Sequence, residues 1–151
     1  MAVPQLDRTP REVYKRLVRT AVASREASGE AGLEESLLEL VNVRVSQING
    51  CAACLATHVP AARKAGVSRE RLDLLSAWRE LDDFGEPERA ALRLAEALTR
   101  LDDSDERMAA LAAAAEHFSD EQLAALEWTI VLINAFNRVS VASHHQPTID
   151  D

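Results

Sequence analysis

Residues 39–58 read ELVNVRVSQINGCAACLATH. This stretch holds the chain's two cysteines, Cys51 and Cys54, as a C-x-x-C pair. His58 follows four residues after the second thiol, and Glu39 lies twelve residues before the first. Because thiols, imidazole and carboxylate are the groups of proton-transfer and redox chemistry, this is where the sequence predicts the functional site.

Asn49-Gly50 divides this stretch, since the pair is a turn signal that ends or sharply bends a helix. At about 100° per residue, the two thiols and His58 fall within about 60° of one helix face. The same spacing places Glu39 above Ser46 and Gly50 on the preceding helix. If the turn folds the two helices together, one acid, one imidazole and two thiols converge.

Along the whole chain, capping residues and helix-breaking residues predict six or seven helices and no credible strand. The expected segments are Pro10 to about Ala27 with Thr9 as N-cap, Gly32 or Leu33 to Asn49, the cysteines to Ala65, Ser68 to about Glu80, Pro87 to Leu101, residues 105–117, and Leu123 to about His144 after a capping box at Ser119–Gln122. The sequence therefore predicts an all-α helical bundle, one domain over residues 1–151, with the C-x-x-C at the start of a helix.

The last of these segments is apolar on more than one face, which favours either the central helix of the fold or a subunit interface. Trp78, Trp128 and Phe136 fit a core at helical spacing better than a substrate channel. No apolar run reaches the roughly 20 residues of a membrane span.

Composition and charge limit the partners and the compartment. The chain of 151 residues is 47% hydrophobic and 28% charged, with a net charge of -8 and a pI near 5.0. This acidity disfavours nucleic acid and anionic membranes as partners. The first residues lack the apolar core of a secretory signal, so we expect a cytoplasmic protein. In that reducing compartment a close cysteine pair is redox-active or metal-binding more often than structural.

Several chemistries remain open for the cysteine pair taken alone: half of a zinc site, a redox pair, or two buried small hydrophobes. Zinc takes four ligands, and His117, His144 and His145 supply no second pair at finger-like spacing. A Cys₂His site completed by Glu39 stays open. In the redox interpretation, His58 accepts the thiol proton and Glu39 orients the histidine.

The pattern Glu39-x₁₁-Cys51-x₂-Cys54-x₃-His58 resembles the active-site signature of the alkyl hydroperoxide reductase D (AhpD)-like proteins of the carboxymuconolactone decarboxylase superfamily. The segments 44–50 (RVSQING) and 133–138 (INAFNR) also resemble that family, the second in its last helix. The likeness covers about residues 15–145. It implies an all-helical fold that assembles as dimers, trimers or hexamers.

The resemblance also implies a peroxidase that needs no cofactor. Cys54 would attack the hydroperoxide, and Cys51 would resolve the sulfenic acid to a Cys51–Cys54 disulfide. His58 and Glu39 would form the proton relay. Electrons would come from a lipoylated or thioredoxin-like dithiol protein. In the best-known members a second histidine lies between the cysteines; here that position is Ala53.

Three other functions compete with the peroxidase. A protein disulfide reductase would use the same dithiol. Decarboxylation of a lactone fits the superfamily name, but such decarboxylases generally lack the cysteine pair. A redox-sensing or zinc-binding module would need no catalysis.

Overall fold

A computed structural model describes residues 2–148, which contain seven α-helices, one 3₁₀ helix and no strand. The helices are α1 (Arg11–Glu30), α2 (Glu35–Asn49), α3 (Ala52–Lys64), α4 (Arg69–Asp73), the 3₁₀ helix (Leu75–Glu80), α5 (Glu86–Arg100), α6 (Ser104–Ala115) and α7 (Asp120–Ala142). The all-α prediction is confirmed, and the C-x-x-C lies at the start of α3 as expected.

The caps predicted later in the chain are present. Ser68 Oγ accepts a hydrogen bond from the N–H of Arg71 at 3.2 Å, at the start of α4. Ser119 and Gln122 form the capping box of α7, with side-chain to backbone bonds of 3.1 and 3.2 Å. These contacts satisfy N–H groups that a helix start leaves without an internal partner.

The first helix differs from its prediction at both ends. Pro10, not Thr9, is the N-cap, because its ψ of 121° is extended and α1 begins at Arg11. The helix also continues past Ala27 to Glu30. Its stop is Gly32, whose φ of 76° only glycine adopts easily, so α2 begins later than expected, at Glu35.

The predicted single helix from Ser68 to Glu80 is wrong. It is broken into α4 and the 3₁₀ helix, with Ala77 outside helical geometry at φ -111° and ψ 22°. Side chains three apart in a 3₁₀ helix lie on the same side. Leu75 and Trp78 are accordingly both buried, at 0% and 4% exposure. The tighter turn thus buries the tryptophan in the core.

The central helix is α2, which packs against α3, α5 and α7. It is buried on nearly every side, including Leu40, Val41 and Val45 at 0% exposure. The interpretation of α7 as the central helix is therefore wrong, since Trp128 and Val131 on α7 are 56% and 52% exposed. Those exposed apolar side chains are what the subunit-interface interpretation requires.

Glu96 on α5 is a buried carboxylate that accepts hydrogen bonds from both the 3₁₀ helix and α2. Its side chain accepts bonds from Arg44 at 2.7 Å, Trp78 at 2.9 Å and Arg100 at 3.4 Å, and also from Arg79. Burial alone would raise the pKa of Glu96, but these donors outweigh it and hold the pKa below its ordinary value. Glu96 is therefore ionised and fully partnered inside the protein.

We expect Glu96→Gln to lower the free energy of unfolding by about 3 kcal/mol at neutral pH, because it leaves Arg44 buried without its counter-charge. The folded-state pKa is depressed, so this difference is present above the ordinary carboxylate value and shrinks as pH falls through the folded value. Urea unfolding at several pH values measures it. The matched control is Glu12→Gln, an exposed partner of Lys15, which should change stability by less than about 1 kcal/mol. Equal stability of Glu96→Gln and the wild type contradicts the prediction.

Candidate active site

The turn between α2 and α3 fixes the position of the first cysteine. Gly50 adopts the left-handed conformation at φ 64°, and its N–H donates to the carbonyl of Gln47 at 3.3 Å. The next N–H, from Cys51, donates to the carbonyl of Ser46 at 3.0 Å. This pair of bonds is the Schellman motif, which closes α2 and delivers Cys51 to the next helix.

Cys51 is the N-cap of α3, and its Sγ accepts a hydrogen bond from the N–H of Cys54 at 3.3 Å. A helix start carries partial positive charge and unpaired N–H groups. These groups stabilise a thiolate and lower a thiol's pKa in general. The sequence thus places the dithiol where sulfur anions are favoured.

Cys51 and Cys54 form a disulfide, with their Cα atoms 5.3 Å apart. That separation lies inside the range that disulfides require. Both residues are nearly buried, at 2% and 7% exposure. The backbone at the start of α3 therefore holds the two sulfurs within bonding reach.

The acid and the imidazole meet across the two helices. Oε2 of Glu39 on α2 lies 2.7 Å from Nδ1 of His58 on α3. Glu39 is 1% exposed, and its other oxygen accepts from Arg25 on α1 at 3.2 Å and from Asn42 at 3.5 Å. His58 lies one helical turn after Cys54, so the two share a face of α3.

The charge state of Glu39 decides the tautomer of His58. Burial alone would raise the pKa of Glu39, but the hydrogen bonds and charges of His58 and Arg25 outweigh it and lower the pKa. An ionised carboxylate only accepts hydrogen bonds, so Nδ1 of His58 carries the hydrogen. In the neutral ring the lone pair is then at Nε2, which can receive a proton.

Two asparagines of α7 hold the turn in place. Nδ2 of Asn49 donates to the side-chain oxygens of Asn134 and Asn137, each at 2.9 Å. Asn137 is fully buried and donates in turn to Oγ of Ser46 at 3.1 Å. The segments 44–50 and 133–138, singled out by resemblance, thus bind each other and support the cysteine turn.

Arg25 was missed by the sequence analysis. It lies on α1, 14 residues from Glu39, and also forms an ion pair with Glu35. One arginine on a polar helix face gives no signal of its own. Only the packing of α1 beside α2 shows that this guanidinium contacts the buried acid.

A cavity of about 340 Å³ lies between α1, α2 and α7, with His58 and Arg25 in its wall. Most of the remaining lining is apolar: Val18, Ala21, Val22, Leu38, Leu132, Ile133 and Phe136. Of Trp78, Trp128 and Phe136, only Phe136 lines this cavity. Trp78 is buried beside Glu96, and Trp128 is exposed.

Within residues 2–148, no three His, Cys, Asp or Glu side chains are placed to share an ion. Both cysteine sulfurs are bonded to each other, and Glu39 is bonded to His58. Over the same residues, none of the helices combines the length and apolar character that a bilayer crossing requires.

The part of the chain that contains this site matches a known protein family. The model of the carboxymuconolactone decarboxylase family matches residues 11–97, from the start of α1 into α5, and so includes all four predicted site residues. The chain belongs to the carboxymuconolactone decarboxylase family. The uncharacterized protein YdfG of Bacillus subtilis (strain 168) is 36% identical over 113 residues, covering 75% of this chain and 77% of YdfG.

Two further relatives bear the AhpD name. The alkyl hydroperoxide reductase AhpD of Streptomyces griseus is 48% identical over 44 residues, which is 29% of this chain and 25% of that protein. A solved structure from Agrobacterium tumefaciens, of a protein of unknown function described as a candidate antioxidant defence protein AhpD, superposes with a TM-score of 0.86. It is 30% identical, and the alignment covers 99% of this chain and 100% of that one. The AhpD-like resemblance is thereby confirmed.

Proposed function

We propose that this protein is a thiol peroxidase that reduces hydroperoxides with Cys54 and Cys51. The observation that supports it best is the contact of buried Glu39 with half-buried His58, 2.7 Å apart, with His58 one helical turn from Cys54. A carboxylate that orients an imidazole beside a thiol is the arrangement that activates a sulfur nucleophile. Its neighbour Cys51 supplies the second thiol.

In the first step His58 takes the Cys54 proton at Nε2, and Glu39 stabilises the imidazolium. The Cys54 thiolate attacks the terminal peroxide oxygen, and the O–O bond breaks. The alkoxide leaves with the proton from His58 as an alcohol, and Cys54 becomes a sulfenic acid. The sulfur loses two electrons and the peroxide gains them.

In the second step Cys51 attacks the sulfenic sulfur of Cys54. The S–O bond breaks, water leaves, and the disulfide seen in this structure forms. A sulfenic acid beside a second thiol is trapped before it is oxidised irreversibly. With Cα atoms 5.3 Å apart, the resolving thiol is already within reach.

In the third step an external dithiol reduces the disulfide by thiol exchange. We propose a lipoylated or thioredoxin-like protein as this donor, in the cytoplasm, where thiols are kept reduced. No cofactor takes part in these steps. We also propose a homo-oligomer, a dimer, trimer or hexamer, in which the exposed apolar side chains of α7 are covered.

The test is steady-state turnover of an alkyl hydroperoxide with a lipoyl system or a thioredoxin system as donor. We expect peroxide-dependent oxidation of at least one donor. Donor oxidation that requires a disulfide protein and ignores peroxide would instead establish the disulfide reductase. No oxidation with either donor contradicts both functions.

A further inference from the structure

The end of α7 fixes the backbone of His145, a second histidine near the cysteines. His144 adopts the left-handed conformation at φ 54°, and its N–H donates to the carbonyl of Val141 at 3.1 Å. The N–H of His145 donates to the carbonyl of Ser140 at 3.0 Å. This is the same Schellman geometry that positions Cys51, so the backbone of His145 is fixed to the helix.

The segment before α1 brings a carboxylate to that histidine. Ser143, buried at 1% exposure, accepts the N–H of Leu6 on its Oγ and the side-chain amide of Gln5 on its carbonyl, both at 2.9 Å. These bonds hold Asp7 so that its Oδ1 lies 3.2 Å from Nε2 of His145. An ionised carboxylate only accepts, so Nε2 carries the hydrogen and Nδ1 the lone pair.

His145 shares a cavity with the first cysteine. About 220 Å³ of space is lined by Cys51, Ala53, His144 and His145, but not by Cys54. Ala53 contributes only a methyl group, which leaves room above the start of α3. The same two histidines and Ala53 also line an adjoining, more open cleft of about 590 Å³ that Asp7 and Arg8 border.

We propose that His145, oriented by Asp7, transfers protons for thiol exchange at Cys51. This role of His145 rests on the proposed function in one respect, which is that the disulfide must be reduced in each catalytic cycle. Glu39 and His58 then serve Cys54, whereas Asp7 and His145 serve Cys51. Each sulfur of the pair has its own imidazole and its own carboxylate.

His145 takes the proton of an incoming dithiol, whose thiolate attacks Sγ of Cys51. The Cys51–Cys54 bond breaks, and Cys54 leaves as a thiolate. The donor's second thiol gives its proton to His58, which passes it to Cys54, and then attacks the donor sulfur that is bound to Cys51. The donor disulfide closes, and Cys51 leaves with the proton held by His145. The protein gains two electrons and two protons, which the dithiol loses.

The experiment uses full-length protein oxidised with diamide and reduced with limiting dithiothreitol. Samples are quenched with acid over time, the small thiol is removed, and the thiols of the protein are counted. We expect His145→Gln to slow reduction by about 10²-fold, the lower end of general acid–base catalysis, and added imidazole to restore part of the rate. His117→Gln, in a different cavity, is the matched control and should leave the rate unchanged. An unchanged rate in His145→Gln, or a loss found in His144→Gln instead, overturns the proposal.

Two further measurements separate this proposal from folding defects and from the peroxidase itself. Reduced His145→Gln should react with hydroperoxide at the wild-type rate, since Cys54 and His58 are untouched. Because diamide forms the disulfide without peroxide, the His145 effect can be present even if the protein is not a peroxidase. Should His145→Gln fail to fold, Asp7→Asn keeps the imidazole and should slow reduction by a smaller factor; an unchanged rate there overturns the proposal.

Discussion

Replacing Cys54 by serine should abolish hydroperoxide consumption. A serine hydroxyl is a far weaker nucleophile than a thiolate, and the Glu39–His58 pair has no other sulfur one helical turn away. Cys51 remains in the variant, but it lies at the N-cap, three residues before Cys54. Peroxide loss and thiol content, followed together, measure the effect.

The matched variant is Cys51→Ser, which keeps the attacking sulfur and removes the resolving one. It should react once with hydroperoxide and stop at a sulfenic acid on Cys54, which a dimedone-type reagent traps. Wild-type protein should give no such adduct, because the disulfide forms first. If Cys51→Ser loses the reaction and Cys54→Ser keeps it, the assigned roles are reversed.

The second large effect should come from Glu39→Gln. The amide carries no charge, so the imidazolium formed when His58 accepts the Cys54 proton loses its stabilising partner. The amide can also donate to Nδ1, which reverses the tautomer and removes the acceptor at Nε2. We expect the reaction of reduced protein with hydroperoxide to slow by about 10²-fold, as for loss of general base catalysis.

The control for Glu39→Gln is Glu35→Gln. Glu35 also pairs with Arg25, but its side chain is 50% exposed, and it is Glu39 that His58 contacts. Glu35→Gln should therefore react at the wild-type rate. Circular dichroism of Glu39→Gln should show the same helix content as the wild type. An unchanged peroxide rate in a folded Glu39→Gln assigns Glu39 a structural role only.

The sequence allowed the helices and the acid–imidazole contact to be predicted because local signals encode both. Gly50 permits the left-handed turn, and the spacing of Glu39 and His58 on either side of it brings them together. Caps such as Ser119 are equally local. These features depend on a few residues near one another in the chain.

Features that depend on packing between distant segments were missed. Arg25 reaches Glu39 from α1, and Asp7 reaches His145 across 138 residues of sequence. The break of the fourth predicted helix follows from burying Trp78 against Glu96, which no local pattern indicates. From the sequence, His145 is considered only as a zinc ligand, whereas the residue lines the cavity beside Cys51.

If the protein is a thiol peroxidase, its own Cys51–Cys54 dithiol reduces hydroperoxides. Stoichiometric titration of fully reduced wild-type protein with an alkyl hydroperoxide tests it most directly, with thiols, alcohol and disulfide measured in the same sample. We predict that each hydroperoxide consumes both thiols of one chain, yields one alcohol and leaves an intramolecular Cys51–Cys54 disulfide. Thiols that remain unreacted under these conditions would contradict the claim.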